Sequence, residues 1–132
     1  MKVQIEKQND GSYMAYNTTG DMLQLIGTGD TVAEAKSDFM NSRREMIDSC
    51  KEDGLETPSA LNEDIEFGFD ISSLFDYYKE INVSAFARRI GINDSLLRQY
   101  KRGGAYISDA QLSKIEEGIH QLGHEFSNLR LV

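Results

Sequence analysis

VSAFARRIGINDSLLRQYKRG, residues 83 to 103, breaks into two short amphipathic segments at a single glycine. Read at helical period, Phe86, Ala87 and Ile90 share one face of the first segment, and Leu97 with Tyr100 shares one face of the second. Ala87 is small where two helices would cross closely, and Gly91 can take the positive φ of a tight turn. Ile92 fits the corner as a plug, and Asn93 is a good cap for the helix that follows. This is the pattern of a helix-turn-helix. Its second helix carries polar, long side chains outward, as a recognition helix in a major groove requires.

Charge makes the pattern more specific than an ordinary helical hairpin. Arg88, Arg89, Arg98, Lys101 and Arg102 are opposed in this stretch only by Asp94, in a chain of formal charge −8. So local a basic patch in an acidic protein points to a polyanion, here double-stranded DNA. Arg98 and Gln99 stand mid-face and are long enough to reach base edges; an arginine can pair bidentately with guanine. Arg88, Arg89 and Lys101 lie towards the flanks, where phosphate is met, and Arg102 shares the outer side of the second helix. Ser84, Asn93, Asp94 and Ser95 complete the candidate DNA-binding set as short polar groups. Asp94 fits only if it serves the helix N-terminus or accepts from cytosine.

Outside this stretch, 132 residues suffice for one ordinary domain or two small ones. An apolar content of 39% with 27% charged residues describes a soluble globular protein and excludes a disordered one. No apolar run approaches the roughly 20 residues that span a bilayer, and the polar start MKVQIEKQNDG shows no signal peptide. A cytoplasmic location is the expectation. The single cysteine excludes an internal disulfide. Charge is uneven: through Asp70 there are six basic and fifteen acidic residues, net −9, and from Ile71 onward eight basic and seven acidic, net +1. Two modules with different partners are expected, residues 1–70 and 71–132.

In chain order, Val3 and Ile5 alternate with polar neighbours as in a half-buried strand, and Asp10-Gly11 signals a hairpin with Tyr13 to Thr18 returning. Gly20-Asp21 turns the chain into a third strand, MLQLIGT, on which Leu23, Leu25 and Gly27 share a face. Thr31 and Glu34 have the spacing of a capping box. The helix they open carries Val32, Ala35, Phe39, Met46 and Cys50 as its apolar stripe and ends at Gly54. On that stripe Cys50 reads as a small buried hydrophobe, not a nucleophile. Ile65, Phe67 and Phe69 alternate as a fourth strand. Ile71, Leu74, Phe75, Tyr78 and Ile81 make a helix expected to pack behind the helix-turn-helix. A last helix opens at Ser108 and runs along Leu112, Ile115, Ile119, Leu122, Phe126 and Leu129, a heptad-like stripe. Gly118 and Gly123 each cost about 1 kcal/mol against alanine, so its late turns are expected to fray. Residues 129–132 suit helix or strand equally. The fold class is α+β: a β-β-β-α-β module followed by an all-α helix-turn-helix domain.

With both modules laid out, the chain resembles the HicB family of antitoxins from bacterial toxin–antitoxin systems. NDGSY (9–13) and GTGDTVAEA (27–35) carry the resemblance in the first module, and the helix-turn-helix after it, from Phe69 to Gly103, carries it in the second. Members often have a proline-glycine element before the third strand, where this chain reads NTTGDMLQL (17–25). The resemblance implies a partial RNase H-like toxin-binding domain that neutralises a HicA-type toxin, a small basic RNA-cleaving protein. It also implies that the helix-turn-helix represses the chain's own operon by operator binding. The acidic first module suits a basic partner, and two half-sites on DNA call for a homodimer or higher even oligomer.

Two other readings compete. The chain as an orphan helix-turn-helix regulator would use its first module to sense a ligand or only to dimerise. The chain as a metal-dependent nuclease would need carboxylates converging on metals about 4 Å apart. Asp10, Asp21 and Asp30 fall in turns and loops, while Asp38, Asp48, Glu52 and Asp53 fall mostly on the outer face of a helix. The expectation is a solvated acidic face, no enzymatic role and no cofactor. His120 and His124, one helical turn apart, are two ligands at most and read as surface residues.

Overall fold

The computed structural model describes residues 1–20 and 22–132, so the aspartate of the expected Gly20-Asp21 turn lies outside the described residues. The chain is α+β, with a four-stranded mixed sheet followed by helices. It divides into two compact units, Met1–Tyr77 and Tyr78–Val132.

In the first unit, β1 (Lys2–Lys7), β2 (Tyr13–Asn17) and β3 (Ile26–Gly29) form an antiparallel meander. The helix α1 (Val32–Glu52) then carries the chain across to the far edge. There β4 (Glu66–Phe69) pairs parallel to β1, giving the order β3-β2-β1-β4. The hairpin turn forms at Asp10-Gly11: Gly11 has φ 87°, and Ser12 donates both its hydroxyl and its N–H to the Asp10 carboxylate. Those two bonds, the hydroxyl first, lower the Asp10 pKa. Alternation puts Val3, Ile5, Tyr13 and Ala15 on the buried face, under Val32, Ala35 and Phe39 of α1. Thr31 and Glu34 close a reciprocal capping box at the start of α1. Gly54, at φ 66°, follows its end and donates its N–H to Lys51.

The third strand is shorter than its apolar pattern predicts. Asn17, buried at the end of β2, donates to the carbonyls of Thr19 and Leu23 and accepts from the Leu25 N–H. Those groups are thereby held as a loop, and strand pairing begins only at Ile26. Beyond that loop β3 runs against α1 with almost no space between them. A Cβ at Gly27 would fall 2.2 Å from the Phe39 nitrogen and 2.5 Å from the Ala35 oxygen; one at Gly29 would fall 2.4 Å from Glu34 Cβ. Glycine is required at both positions so that strand and helix backbones can touch.

On α1 the apolar stripe is buried only in its first half, since Met46 is exposed and Cys50 half-buried. The Arg43 guanidinium donates to the carbonyls of Leu61 and Glu63 and ties down the segment leading to β4, where Leu61 is fully buried. On the uncovered face of the sheet, Gln4 donates to the Tyr16 hydroxyl (2.8 Å), which donates to Glu6 (3.0 Å). Burial, followed by this bond to a carboxylate, pushes the Tyr16 pKa up to about 12.

The helix expected over residues 71–81 stops early, as α2 (Ile71–Tyr77), and belongs to the sheet. Its Ser73 hydroxyl accepts from the Lys7 N–H at the end of β1, and Asp76 lies 3.8 Å from the Lys7 ammonium. Phe75 is buried, and Tyr77 stacks on Phe69 and meets Tyr13 edge-on. The division therefore falls after Tyr77, not after Asp70 where the charge count placed it. It leaves six basic and sixteen acidic residues in the first unit, net −10, and eight basic and six acidic in the second, net +2.

The second unit is helical: α3 (Val83–Ile90), α4 (Asp94–Lys101) and α5 (Asp109–Asn128). Phe86, Ala87, Ile92, Leu97, Tyr100 and Ile115 are its buried apolar residues. On α5 the heptad-like stripe is covered only near its start. Ile115 is buried, Ile119 and Leu122 are half-buried, and Leu112, Phe126 and Leu129 are exposed. Gly118 is not the weak point that helix propensity alone makes it. It is buried, and a Cβ there would lie 2.4 Å from Ile90 Cγ2 and 3.1 Å from Phe86 Cζ, so it is where α5 crosses α3. The helix continues past Gly123 to Asn128, and residues 129–132 are neither helix nor strand.

Candidate nucleic-acid interface

The turn between α3 and α4 follows from its residues. Asn82 opens α3 by accepting from the Ala85 N–H, and Gly91 ends it at φ 73°, ψ 30°. The N–H groups of Gly91 and Ile92 donate back to Arg88 and Ala87, satisfying carbonyls at the helix end. Ile92 is buried in the corner, and Asn93 accepts from the N–H groups of Ser95 and Leu96. The Asn93 side chain is thus engaged as the cap of α4.

Of the ten candidate residues, five meet at one place on the outer side of this pair. Arg98 Nη1 donates to Ser84 Oγ at 2.8 Å, and its Nη2 donates to Ser95 Oγ at 3.4 Å. Asp94 Oδ2 lies 3.9 Å from Arg98 Nη1 and 3.9 Å from Arg88 Nη1. One carboxylate therefore stands between an arginine of α3 and an arginine of α4. Both arginines are exposed, the Arg88 side chain most, at 68%, and Asp94 is half-buried. Gln99 and Arg102 are exposed and Lys101 is half-buried on the same helix and its C-cap.

Arg89 is elsewhere. Its guanidinium pairs with Glu125 of α5, and it borders a groove of about 420 Å³ lined by Ile81, Ala85, Phe86, Leu122 and Phe126. Its guanidinium is thus already paired, apart from the Arg88–Asp94–Arg98 cluster. Glu125 was invisible to a local reading, being 36 residues away in sequence. The Asp94–Arg98 contact had a signal in its i, i+4 spacing; the Arg88 contact had none.

Several carboxylates of the first unit are occupied with backbone. Asp38 accepts from the Thr28 N–H, Glu34 from those of Asp30 and Thr31, and Asp10 from Ser12. Among the described residues no group of three or more His, Cys, Asp or Glu side chains is placed to hold a metal ion; Asp21 lies outside them. His120 and His124 are exposed on α5. No helix among the described residues is long and apolar enough to cross a membrane. No protein-family model, no curated protein and no solved structure matches the chain.

Proposed function

We propose that the chain is a HicB-type antitoxin whose helical unit binds operator DNA through a helix-turn-helix and whose sheet unit neutralises a small basic RNA-cleaving toxin. The observation that carries the DNA half is the solvated cationic surface of α3 and α4. There Arg88 and Arg98 stand together, with Gln99, Lys101 and Arg102 on the same second helix, in a chain of net charge −8. A polyanion is the partner that such a local reversal of charge suits, and phosphate contact supplies most of the affinity. In this reading α4 is the recognition helix and the Gly91 turn sets its angle to α3. The β-β-β-α-β order of the sheet unit agrees with the partial RNase H-like domain that the resemblance implies. Its net charge of −10 would steer a basic partner in. No catalytic step and no cofactor belong to this reading.

Two half-sites on DNA require the chain to be at least a homodimer, with recognition helices about 34 Å apart or a multiple of that. The exposed Leu112, Phe126 and Leu129 of α5 provide apolar surface for the contact. The test is to co-express the full chain with the product of the neighbouring gene, which this reading requires to be a small basic protein, and to measure both activities. Growth rescue with co-purification, and a mobility shift on the DNA upstream of the pair, are expected. A light-scattering mass of a monomer at micromolar concentration, or binding to neither partner, would refute the reading.

A further inference from the structure

Resting on the DNA-binding reading, we infer that Asp94 is a positioning residue that restrains Arg88 and Arg98 and so weakens binding to non-cognate DNA. It is the one acid between residues 83 and 103, and it sits between two exposed arginines, Arg88 and Arg98. Its carboxylate lies 3.9 Å from each guanidinium, and Ser84 and Ser95 hold Arg98 from the other sides. The three partners of Arg98 come from both helices, Ser84 from α3 and Asp94 and Ser95 from α4. Arg98 is therefore laid across the gap between α3 and α4 in the free protein instead of standing out from it.

Two consequences follow for binding. A phosphate approaching Arg88 or Arg98 meets the Asp94 charge as well, which cancels part of the attraction that random sequence offers. A guanine edge that pairs bidentately with Arg98 replaces the carboxylate and serine acceptors with two well-directed ones. The restraint thus opposes sequence-independent binding more than cognate binding, and it raises the ratio between them. Each exposed ion pair is worth up to about fivefold in an equilibrium constant. Removing the charge from both pairs should change random-DNA affinity by about three- to tenfold.

The experiment compares the full-length wild-type chain with Asp94→Asn and Asp94→Glu on random duplex DNA and on a site selected from a random pool. Fluorescence anisotropy is read across a salt series, and the Arg98 Nε–Hε order parameter is read by NMR without DNA. Asn keeps the shape, and the Asn93 cap remains to start α4. The expected result for Asp94→Asn is three- to tenfold tighter random binding, a smaller specificity ratio and a difference that fades as salt rises. Its Arg98 should also become more mobile. Asp94→Glu, which keeps the charge, should stay near wild type. Uniformly weaker binding of Asp94→Asn to both DNAs, with Arg98 order unchanged, would mean that Asp94 only supports the helix start and would overturn the inference. Should the wild-type chain bind neither DNA at low salt, the DNA-binding reading itself fails, whatever the NMR shows.

Discussion

Alanine substitution at two glycines of α5 should affect stability differently, although the two positions look alike in the sequence. Gly118 and Gly123 are both in the interior of a 20-residue helix, and at each an alanine gains about 1 kcal/mol of helix propensity. At Gly123 an added Cβ meets nothing within 4 Å, so that gain should appear undiminished. At Gly118 the methyl would lie 2.4 Å from Ile90 Cγ2, more than 1 Å inside the ordinary carbon–carbon contact of about 3.5–4.0 Å. Ile90 is β-branched on a helix and has essentially one favoured χ1, so its methyl cannot simply swing away. Relief then requires α3 and α5 to separate, and overpacking of this kind costs about 1–3 kcal/mol. Gly118→Ala should therefore range from neutral to about 2 kcal/mol less stable than wild type. Gly123→Ala should be about 1 kcal/mol more stable, so the two variants differ by about 1–3 kcal/mol. Urea unfolding of the full chain, with amide exchange in α4 and α5 to isolate the helical unit from the sheet, measures the difference. Equal stabilisation by both alanines would show that α5 does not cross α3 closely at Gly118.

Gly27→Ala should cost the sheet unit at least about 3 kcal/mol, because the new methyl meets the α1 backbone at 2.2 Å and backbone cannot rotate aside; loss of sheet-unit amide protection checks it. Tyr16 has a folded pKa of about 12, raised above its unfolded value of about 10. Its contribution to stability should therefore be complete below pH 10 and be lost as pH rises through 12, a loss absent in Tyr16→Phe. A difference absorbance titration of the two proteins should place the tyrosinate near pH 12. On DNA, Arg98→Ala should cost about 1–3 kcal/mol on the cognate site and relax one position, whereas Lys101→Ala should weaken all sequences alike; identical behaviour in competition with random DNA would undo that division. Arg89→Ala should change random-DNA affinity less than Arg88→Ala does, since Glu125 already holds Arg89.

Much of the fold could be read from local rules because local rules are what decide those parts. The Thr31–Glu34 capping box, the Asp10-Gly11 hairpin, the Gly91 turn and the Asn93 cap each depend on residues within four positions of one another, and all are present. The misreadings have a common cause, which is a partner that hydrophobic periodicity does not register. Apolar alternation alone would extend the third strand to Met22. The Asn17 amide, on the neighbouring strand, takes the backbone groups that such pairing needs. The apolar spacing of residues 71–81 is helical throughout, yet the helix stops at Tyr77. The Lys7 N–H, Phe69 and Tyr13 hold α2 on the sheet, and Asn82 starts a new helix. Gly27 and Gly118 look in sequence like ordinary losses of β or helix propensity. Only the atoms opposite them show that a side chain at either would separate two packed elements.

The same distinction runs through the candidate site. Counting charges finds the arginines and their excess, because charge is a property of each residue alone. It does not find what each arginine faces. Arg88 and Arg89 are adjacent in sequence and identical in type, yet about 100° apart around a helix. One turns to Asp94 at the start of α4, and the other turns to Glu125 on α5. Glu125 lowers the charge that Arg89 offers a polyanion without adding any acid to the 83–103 stretch. The effective basic surface is therefore smaller than the sequence count of five. Asp94 lies beside Arg88 and Arg98 at once, so a single carboxylate acts on two of the five cations in the stretch.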